Sequence, residues 1–417
     1  MRNLTIPLLA AFSALELSPC QSNEAGDLTA SKFGDLSHIL TEWQPARAEL
    51  ESACGVTPPA AGVSDPLRRR PYLQRLTARS VDVVWATDVA FRAAPTVDIF
   101  RPDGTWVTRA PGVIDPSARP PRGAALWSAS LAGLEPGSAY CYEISAGDRM
   151  LRRGGLRTAP DPDSGQPVRF VAIGDSGSGS SDQRAILEQF EKVPFDFMIH
   201  LGDIAYGSGT RAQLQSYFFD VYADVLELFP VFPASGNHEY ESEDAAPFRE
   251  AFALPENGGP EGHERWYSYD YGDVHFVVLD SERVGPEQAS WLDADLTANQ
   301  LPWTIVYLHR PPFSSGEHGS HPAVQQTFVP LFAKHRVELV LAGHDHHYER
   351  TVPQDGVTYI VSGGGGRGTR PVGQAAFTAF SEQVCHFLYV TLEGGALTVH
   401  AIDGMGKEFD SVQIARR

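Results

Sequence analysis

Cysteine is scarce in this chain: four in 417 residues, at positions 20, 54, 141 and 385. That excludes a disulfide-stapled scaffold and a zinc ribbon, which need cysteines paired at short spacing. Cationic side chains are also few. Thirty-three Lys+Arg face 52 Asp+Glu, for a formal net charge of −19, and a surface that neutralises nucleic-acid phosphates needs clustered Lys and Arg. The one basic run, Arg68-Arg69-Arg70, reads as a solvated entry into a strand. After the N-terminal apolar run, no stretch approaches the length of a bilayer span. What the chain does have is apolar material, 42 % hydrophobic and 10 % aromatic, which excludes wholesale disorder. Its length predicts two or three domains.

Arg2 precedes a short apolar run from Leu4 to Phe12, continued by Leu15 and Leu17, the pattern of a secretory signal peptide over residues 1–20. The Leu17-Ser18-Pro19-Cys20 ending resembles a bacterial lipoprotein box, with Pro19 and Glu16 as departures, and would place a lipid anchor on Cys20. The expectation is an exported protein: secreted, periplasmic or held at the cell surface. Three cysteines then remain, enough for one disulfide whose partners are open. Residues 21–66 read as an extension and linker ending near Pro58-Pro59-Ala60-Ala61-Gly62, with an amphipathic segment near Leu36–Leu50 interrupted by Pro45.

Residues 67–160 change to short alternating runs between turns, the pattern of an all-β sandwich. Ser80-Val81-Asp82-Val83-Val84-Trp85 is a strand with a core aromatic. A turn through Pro136-Gly137 followed by Tyr140 resembles the tyrosine corner of fibronectin type III and immunoglobulin-like sandwiches. A proline-rich linker, Ala159 to Pro167, leads into residues 168–417. There, buried strands alternate with helical patterns at Asp182–Lys192 and Ala212–Leu228, which predicts an α/β layered domain. In such sheets, ligands gather beyond the carboxyl ends of the strands.

Those ends carry polar side chains. Gly174-Asp175 follows one strand and Gly202-Asp203-Ile204-Ala205-Tyr206 the next. Gly236-Asn237-His238-Glu239 follows a third, His309 a fourth, and Gly343-His344-Asp345-His346 a fifth. Singly each is weak, since an Asp or Asn after a strand is ordinarily a turn or capping residue. Jointly, five successive elements deliver Asp175, Asp203, Tyr206, Asn237, His309, His344 and His346 to one edge. Carboxylate, carbonyl, phenol and imidazole donors suit hard or borderline cations, and the lack of cysteine counts against structural zinc or iron–sulfur sites. Seven ligands exceed what one tetrahedral ion needs and suit two ions sharing a carboxylate, the usual clamp for in-line attack at phosphorus.

The five blocks resemble the metallophosphoesterase (calcineurin-like) superfamily, specifically its purple acid phosphatase branch, for which Tyr206 is the distinguishing ligand. Gly343 to Arg350 resembles the family's extended histidine motif, and Trp266 to Phe276 its central strand pair. The resemblance covers Tyr72 to the C-terminus. It implies a two-domain protein, with a fibronectin type III-like β-sandwich ahead of a four-layer αββα catalytic sandwich. Carried over, Asp175, Tyr206 and His346 hold Fe(III), Asp203 bridges, and Asn237, His309 and His344 hold a divalent ion, iron, zinc or manganese. It further implies hydrolysis of phosphomonoesters, with a small phosphate ester as substrate. His238 and His318 are the candidate acid–base or phosphate-contacting groups. Gly319 stands where plant members have a second histidine, and His321 is the candidate substitute. Glu239 and Arg350 are expected to order their neighbours. The alternatives are a phosphodiesterase or nucleotidase on the same core, or a cell-surface binding protein with a vestigial site. Gly363-Gly364-Gly365-Gly366-Arg367 lacks the Lys-Ser or Lys-Thr of a nucleotide loop and reads as a tight backbone passage beside the site.

Overall fold

The computed structural model describes residues 46–56, 65–114, 120 and 123–417. The expected signal peptide, Cys20 and most of the 21–66 extension lie outside the described residues. Among these, no helix is long and apolar enough to cross a membrane.

Eight strands form the first unit: β1 (Leu67–Gln74), β2 (Ser80–Asp88), β3 (Thr96–Phe100), β4 (Trp106–Pro111), β5 (Val113–Ile114), β6 (Ala124–Ala132), β7 (Ala139–Ala146) and β8 (Arg149–Arg157). They pair antiparallel as β1-β2-β6-β5 and β4-β3-β7-β8. Period-two alternation explains the packing of β6: Trp127, Ala129 and Leu131 are buried, whereas Ser128, Ser130 and Ala132 are not. Trp127 lies opposite Trp85 of β2, the rings stacked at 6.4 Å. The Tyr140 hydroxyl accepts from the Glu135 backbone N–H at 2.8 Å, tying the chain back across its corner. A helix, Ala46–Cys54, lies against this unit, and Cys54 forms a disulfide with Cys141 of β7; Cys385 is disulfide-bonded as well, so the expectation of a single disulfide does not hold.

Of the arginine run, only Arg68 is exposed at the strand entry. Arg69 is buried, its Nε 2.8 Å from Gln215 Oε1 and its guanidinium 3.6 Å above the Phe219 ring. Arg70 and Arg152 both pair with Glu227, itself 1 % exposed. Partners about 150 residues downstream of Arg69 and Arg70 supply the counter-charge and the ring face, so these arginines clamp the sandwich onto the α/β unit.

That second unit contains β9 (Val168–Ile173), β10 (Phe197–His200), β11 (Val231–Pro233), β12 (Tyr267–Tyr271), β13 (Val274–Val278), β14 (Trp303–Leu308), β15 (Leu339–Ala342), β16 (Tyr348–Thr351), β17 (Thr358–Ser362), β18 (Thr378–Glu382), β19 (His386–Glu393), β20 (Ala396–Asp403) and β21 (Glu408–Ile414). One sheet runs β11-β10-β9-β19-β20-β21, the other β12-β13-β14-β15-β17-β16-β18. Successive side chains of the second sheet go to opposite layers. Ile305, Tyr307, Leu339 and Leu341 join the core shared with the first sheet. Val306, Leu308, Val340 and Ala342 pack with Leu292 and Leu296 of the helix Pro286–Ala298 and with Phe328 and Phe332 of Pro322–Lys334. Ile186 and Phe190 of the helix Ser181–Phe190 cover the outer face of the first sheet, Phe190 meeting Phe387 of β19 edge-on.

Two local expectations change. Ala212–Leu228 is not one helix but a turn Arg211–Leu214, a wide π turn Gln215–Phe219 and a short helix Ala223–Leu226. Packing wins over propensity here, because Phe218, Phe219 and Tyr222 are all buried. The β12–β13 hairpin is the outer pair of the seven-stranded sheet rather than its centre.

Candidate metal centre

The parallel strands β9, β10 and β11, and likewise β14 and β15, end at one edge of the layered unit. Asp175 follows β9 by two residues, Asp203 follows β10 by three, Asn237 follows β11 by four, His309 follows β14 directly, and His344 follows β15 by two. Gly202 has φ +92°, and a Cβ there would lie 2.6 Å from His309 Nδ1, so both the turn and the approach of the ring require glycine. Asp175, Asp203 and His344 hold left-handed backbone at φ +58°, +52° and +71°. Each such residue costs about 1–3 kcal/mol and is kept where the surroundings over-determine it.

All seven candidate ligands converge. The Tyr206 hydroxyl donates to Asp175 Oδ1 at 2.9 Å and stands 3.1 Å from His346 Nε2, which is 3.5 Å from Asp175 Oδ1. On the other side, His309 Nε2 lies 3.3 Å from Asp203 Oδ1, 3.2 Å from Asn237 Oδ1 and 3.2 Å from His344 Nδ1. Asp203, His309 and His344 offer ligand atoms within 4.8 Å of one another. The donor set therefore falls into an Asp175–Tyr206–His346 group and an Asn237–His309–His344 group, with Asp203 between them.

The electrostatics are those of closely crowded donors. Burial pulls the His309 imidazole down, but Asp203 and Asp175 outweigh it and raise it to about 10. Burial and the neighbouring His309 and Arg310 push His344 well below the usual imidazole value. Burial, then Asp175 and Asp203, push the Tyr206 phenol well above its usual value. A cation held among these oxygens and ring nitrogens relieves all three conflicts, so the residues fit metal ions.

The surroundings hold each ligand. The Leu201 carbonyl lies 2.9 Å from His309 Nδ1, which directs Nε2 into the site. The buried Glu239 carboxylate accepts from the backbone N–H groups of Asp203, Ile204, Ala205 and Gly236 at 2.8–3.1 Å, so it shapes the Asp203 turn as expected. Arg350 instead pairs with Asp410 of β21 at 2.7 Å. His238 Nδ1 donates to the Gly207 carbonyl at 2.5 Å and leaves Nε2 3.7 Å from Asp203 Oδ2. The His318 ring packs on His344 at 4.4 Å. His321, the candidate substitute for the missing histidine, accepts at Nδ1 from Val324 N at 3.3 Å and so caps the helix Pro322–Lys334.

Two neighbours were not anticipated. Asp345 accepts from Ser314 Oγ and, at 3.0 Å, from His318 N, anchoring the loop that carries His318. Arg310 donates from Nη1 to His344 Nε2 at 2.9 Å and is gripped by Glu282. Their positions beside candidate ligands were the only sequence signal.

Residues 168–348 match the calcineurin-like phosphoesterase family. The chain is 27 % identical over 271 residues to an uncharacterized protein of Mycobacterium tuberculosis strain H37Rv, covering 55 % of this chain and 51 % of that one. It is 28 % identical over 308 residues to Probable inactive purple acid phosphatase 1 of Arabidopsis thaliana, covering 58 % and 49 %. With Purple acid phosphatase 23 of the same plant it shares 28 % over 282 residues, 56 % and 61 %. The chain thus spans about half the length of the curated relatives it matches. The fold is similar to purple acid phosphatase PPD1 from yellow lupin (Lupinus luteus) seeds, with a TM-score of 0.73 at 21 % identity over 83 % of this chain and 74 % of that one.

Proposed function

Residues 168–348 form a calcineurin-like phosphoesterase domain with relatives in the purple acid phosphatase branch, and from that premise we propose that this chain is a metal-dependent phosphomonoester hydrolase. The observation that carries the reading is the grouping of Asp175, Tyr206 and His346 on one side of Asp203 and of Asn237, His309 and His344 on the other. A phenolate is a hard, charged donor that favours a trivalent ion, so the Tyr206 group would take Fe(III) and the other a divalent ion, iron, zinc or manganese. When bound, the two ions would polarise the phosphoryl oxygens and make water acidic enough to attack phosphorus in line.

The chain's own side chains would orient and protonate. His238, its Nδ1 proton fixed on the Gly207 carbonyl, offers Nε2 to a phosphoryl or leaving oxygen. His318, laid on His344, extends the imidazole surface a phosphate would meet. The Glu239-braced turn keeps Asp203 in place through these events. A complete donor set speaks against the vestigial-site reading, although some relatives are named inactive.

Two finer points belong to the same proposal. The strand pairing and the Tyr140–Glu135 contact support a fibronectin type III-like first unit. Export is supported by the N-terminal pattern and by the Cys54–Cys141 disulfide, a bond that persists in oxidising compartments.

The deciding experiment is metal analysis and a visible spectrum of wild type and Tyr206→Phe, with a panel of phosphate mono- and diesters. Two metals per chain, a tyrosinate–iron band lost in the variant, and monoesters preferred are expected. Activity without the band would reject Fe(III), faster diester cleavage would reverse the substrate, and failure to take up metal would favour a binding role.

A further inference from the structure

The chain has four cysteines. Cys54 and Cys141 are joined to each other, and Cys385 is disulfide-bonded as well. Counting points to the remaining cysteine, Cys20, which lies outside the described residues.

The position of Cys385 agrees with a partner from the N-terminal segment. It is 1 % exposed, stands one residue ahead of β19, and its carbonyl accepts from Gly404 N at 3.1 Å. Gly404 belongs to the turn between β20 and β21. Gly406 of that turn packs on the end of the helix Ser181–Phe190, where a Cβ would lie 2.7 Å from Gln189 Oε1. Phe190 of the same helix meets Phe387, two residues past Cys385, at 6.0 Å. This helix end also receives the N-terminal helix: Arg47, in the first turn of Ala46–Cys54, pairs with Glu191 and, at 3.2 Å, with Asp224. Arg47 and Cys385 therefore meet at one corner of the α/β unit, through Glu191, Phe190, Gln189 and the Gly404–Gly406 turn. The 26 residues between Cys20 and Arg47 could span about 85 Å extended, so bringing Cys20 back to that corner needs no movement of either unit.

We propose that Cys20 and Cys385 form a second disulfide. Residues 20–54 are then a strap, fastened at one end to the α/β unit and at the other, through Cys54–Cys141, to the sandwich. The bond consumes the thiol that a lipid anchor would need, so the mature chain carries no lipid there. This rests on the export reading, because the bond needs an oxidising compartment. Its formation is an exchange: the two thiols lose two protons and two electrons to an external disulfide, of a thiol–disulfide oxidoreductase or a small disulfide, which leaves as two thiols. The loop it closes takes in most of the chain, the case in which a cross-link restricts the unfolded state most.

The test is non-reducing peptide mapping by mass spectrometry of the exported full chain, with free thiols alkylated before digestion. A peptide pair joining Cys20 to Cys385 and split by reductant is expected, with no diacylglyceryl mass on Cys20. Cys20→Ser and Cys385→Ser should each leave the other cysteine alkylated and lower Tm by about 5–10 °C. The double variant should fall no further, because all three lose the same bond. A lipid on Cys20, a mature chain beginning after Cys20, or additive losses in Tm overturn the proposal. An intact Cys54–Cys141 bond beside an alkylated Cys385 overturns the pairing alone. Wild type in which Cys54 and Cys141 are alkylated too overturns the export reading along with it.

Discussion

His309 faces Asp203 across 3.3 Å while its far nitrogen is fixed at 2.9 Å by the Leu201 carbonyl, one residue past the end of β10. The same β10 loop therefore supplies both the Asp203 carboxylate and the hydrogen bond that aims an imidazole at it. A rigid centre assembled from five loops depends on cross-braces of this sort.

Glu239 is the strongest of these braces. Glu239→Gln keeps the size of the side chain but turns a donor toward four backbone N–H groups that need an acceptor. Metal affinity should fall about 10–100-fold, as for other groups that orient ligands. Competition with a chelator, read by metal analysis, measures it; affinity within twofold of wild type would remove Glu239 from that role.

Asp345 should act on catalysis and not on metal content. Its carboxylate anchors Ser314 and the backbone of His318, so Asp345→Ala frees the loop that carries His318. A roughly tenfold loss in kcat/KM with both metals retained is expected, the scale of one charge-assisted hydrogen bond. Paired metal analysis and kinetics separate this from simple loss of the centre.

The clamp between the two units is testable through stability. Glu227 is 1 % exposed and neutralises Arg70 and Arg152. Glu227→Ala leaves the buried Arg152 guanidinium without its carboxylate and Arg70 with Asp224 alone, at about 3–5 kcal/mol. Denaturant titration should show the loss, and Arg152→Met combined with Glu227→Leu should recover much of it.

His275 gives stability a pH dependence remote from the metal centre. Its ring lies 2.7 Å from Asp270 and 2.9 Å from Asp295. Burial lowers its pKa, but the two carboxylates prevail and raise it from 6.5 to about 9. The folded state therefore holds the proton more tightly, so the stabilisation is complete below pH 6.5 and fades as pH rises toward 9. The loss over that window should be on the order of 2–3 kcal/mol. Unfolding curves from pH 6 to 10 should be flatter for His275→Gln, and an unchanged slope would disprove the assignment.

Much of the candidate site was legible because its chemistry is local. A strand, a glycine and then a ligand-type residue recur along the chain, and the recurrence carried Asp175, Asp203, Asn237 and the His344–His346 pair, with His309 directly after its own strand, without any knowledge of the turns between them. The capping by His321 was not legible because a histidine before a proline reads equally as a free loop group and as a helix cap; only the placement of Pro322–Lys334 separates these. The arginines at 69 and 70 were misread for a related reason. Their partners, Gln215, Phe219, Asp224 and Glu227, are remote in sequence, and charge patterning sees only neighbours.

By itself, the sequence determined the layered α/β region and the seven candidate donors at its strand ends, since these follow from strand and helix patterning and ligand chemistry. Only the tertiary structure decided which donors share a side of Asp203, which cysteine Cys54 joins, and that Arg310, Arg367 and Arg370 stand around the centre. The physical reason is distance: hydrogen bonds and ion pairs act over a few ångströms in space, and spacing along the chain does not encode which loops the packed sheets bring that close.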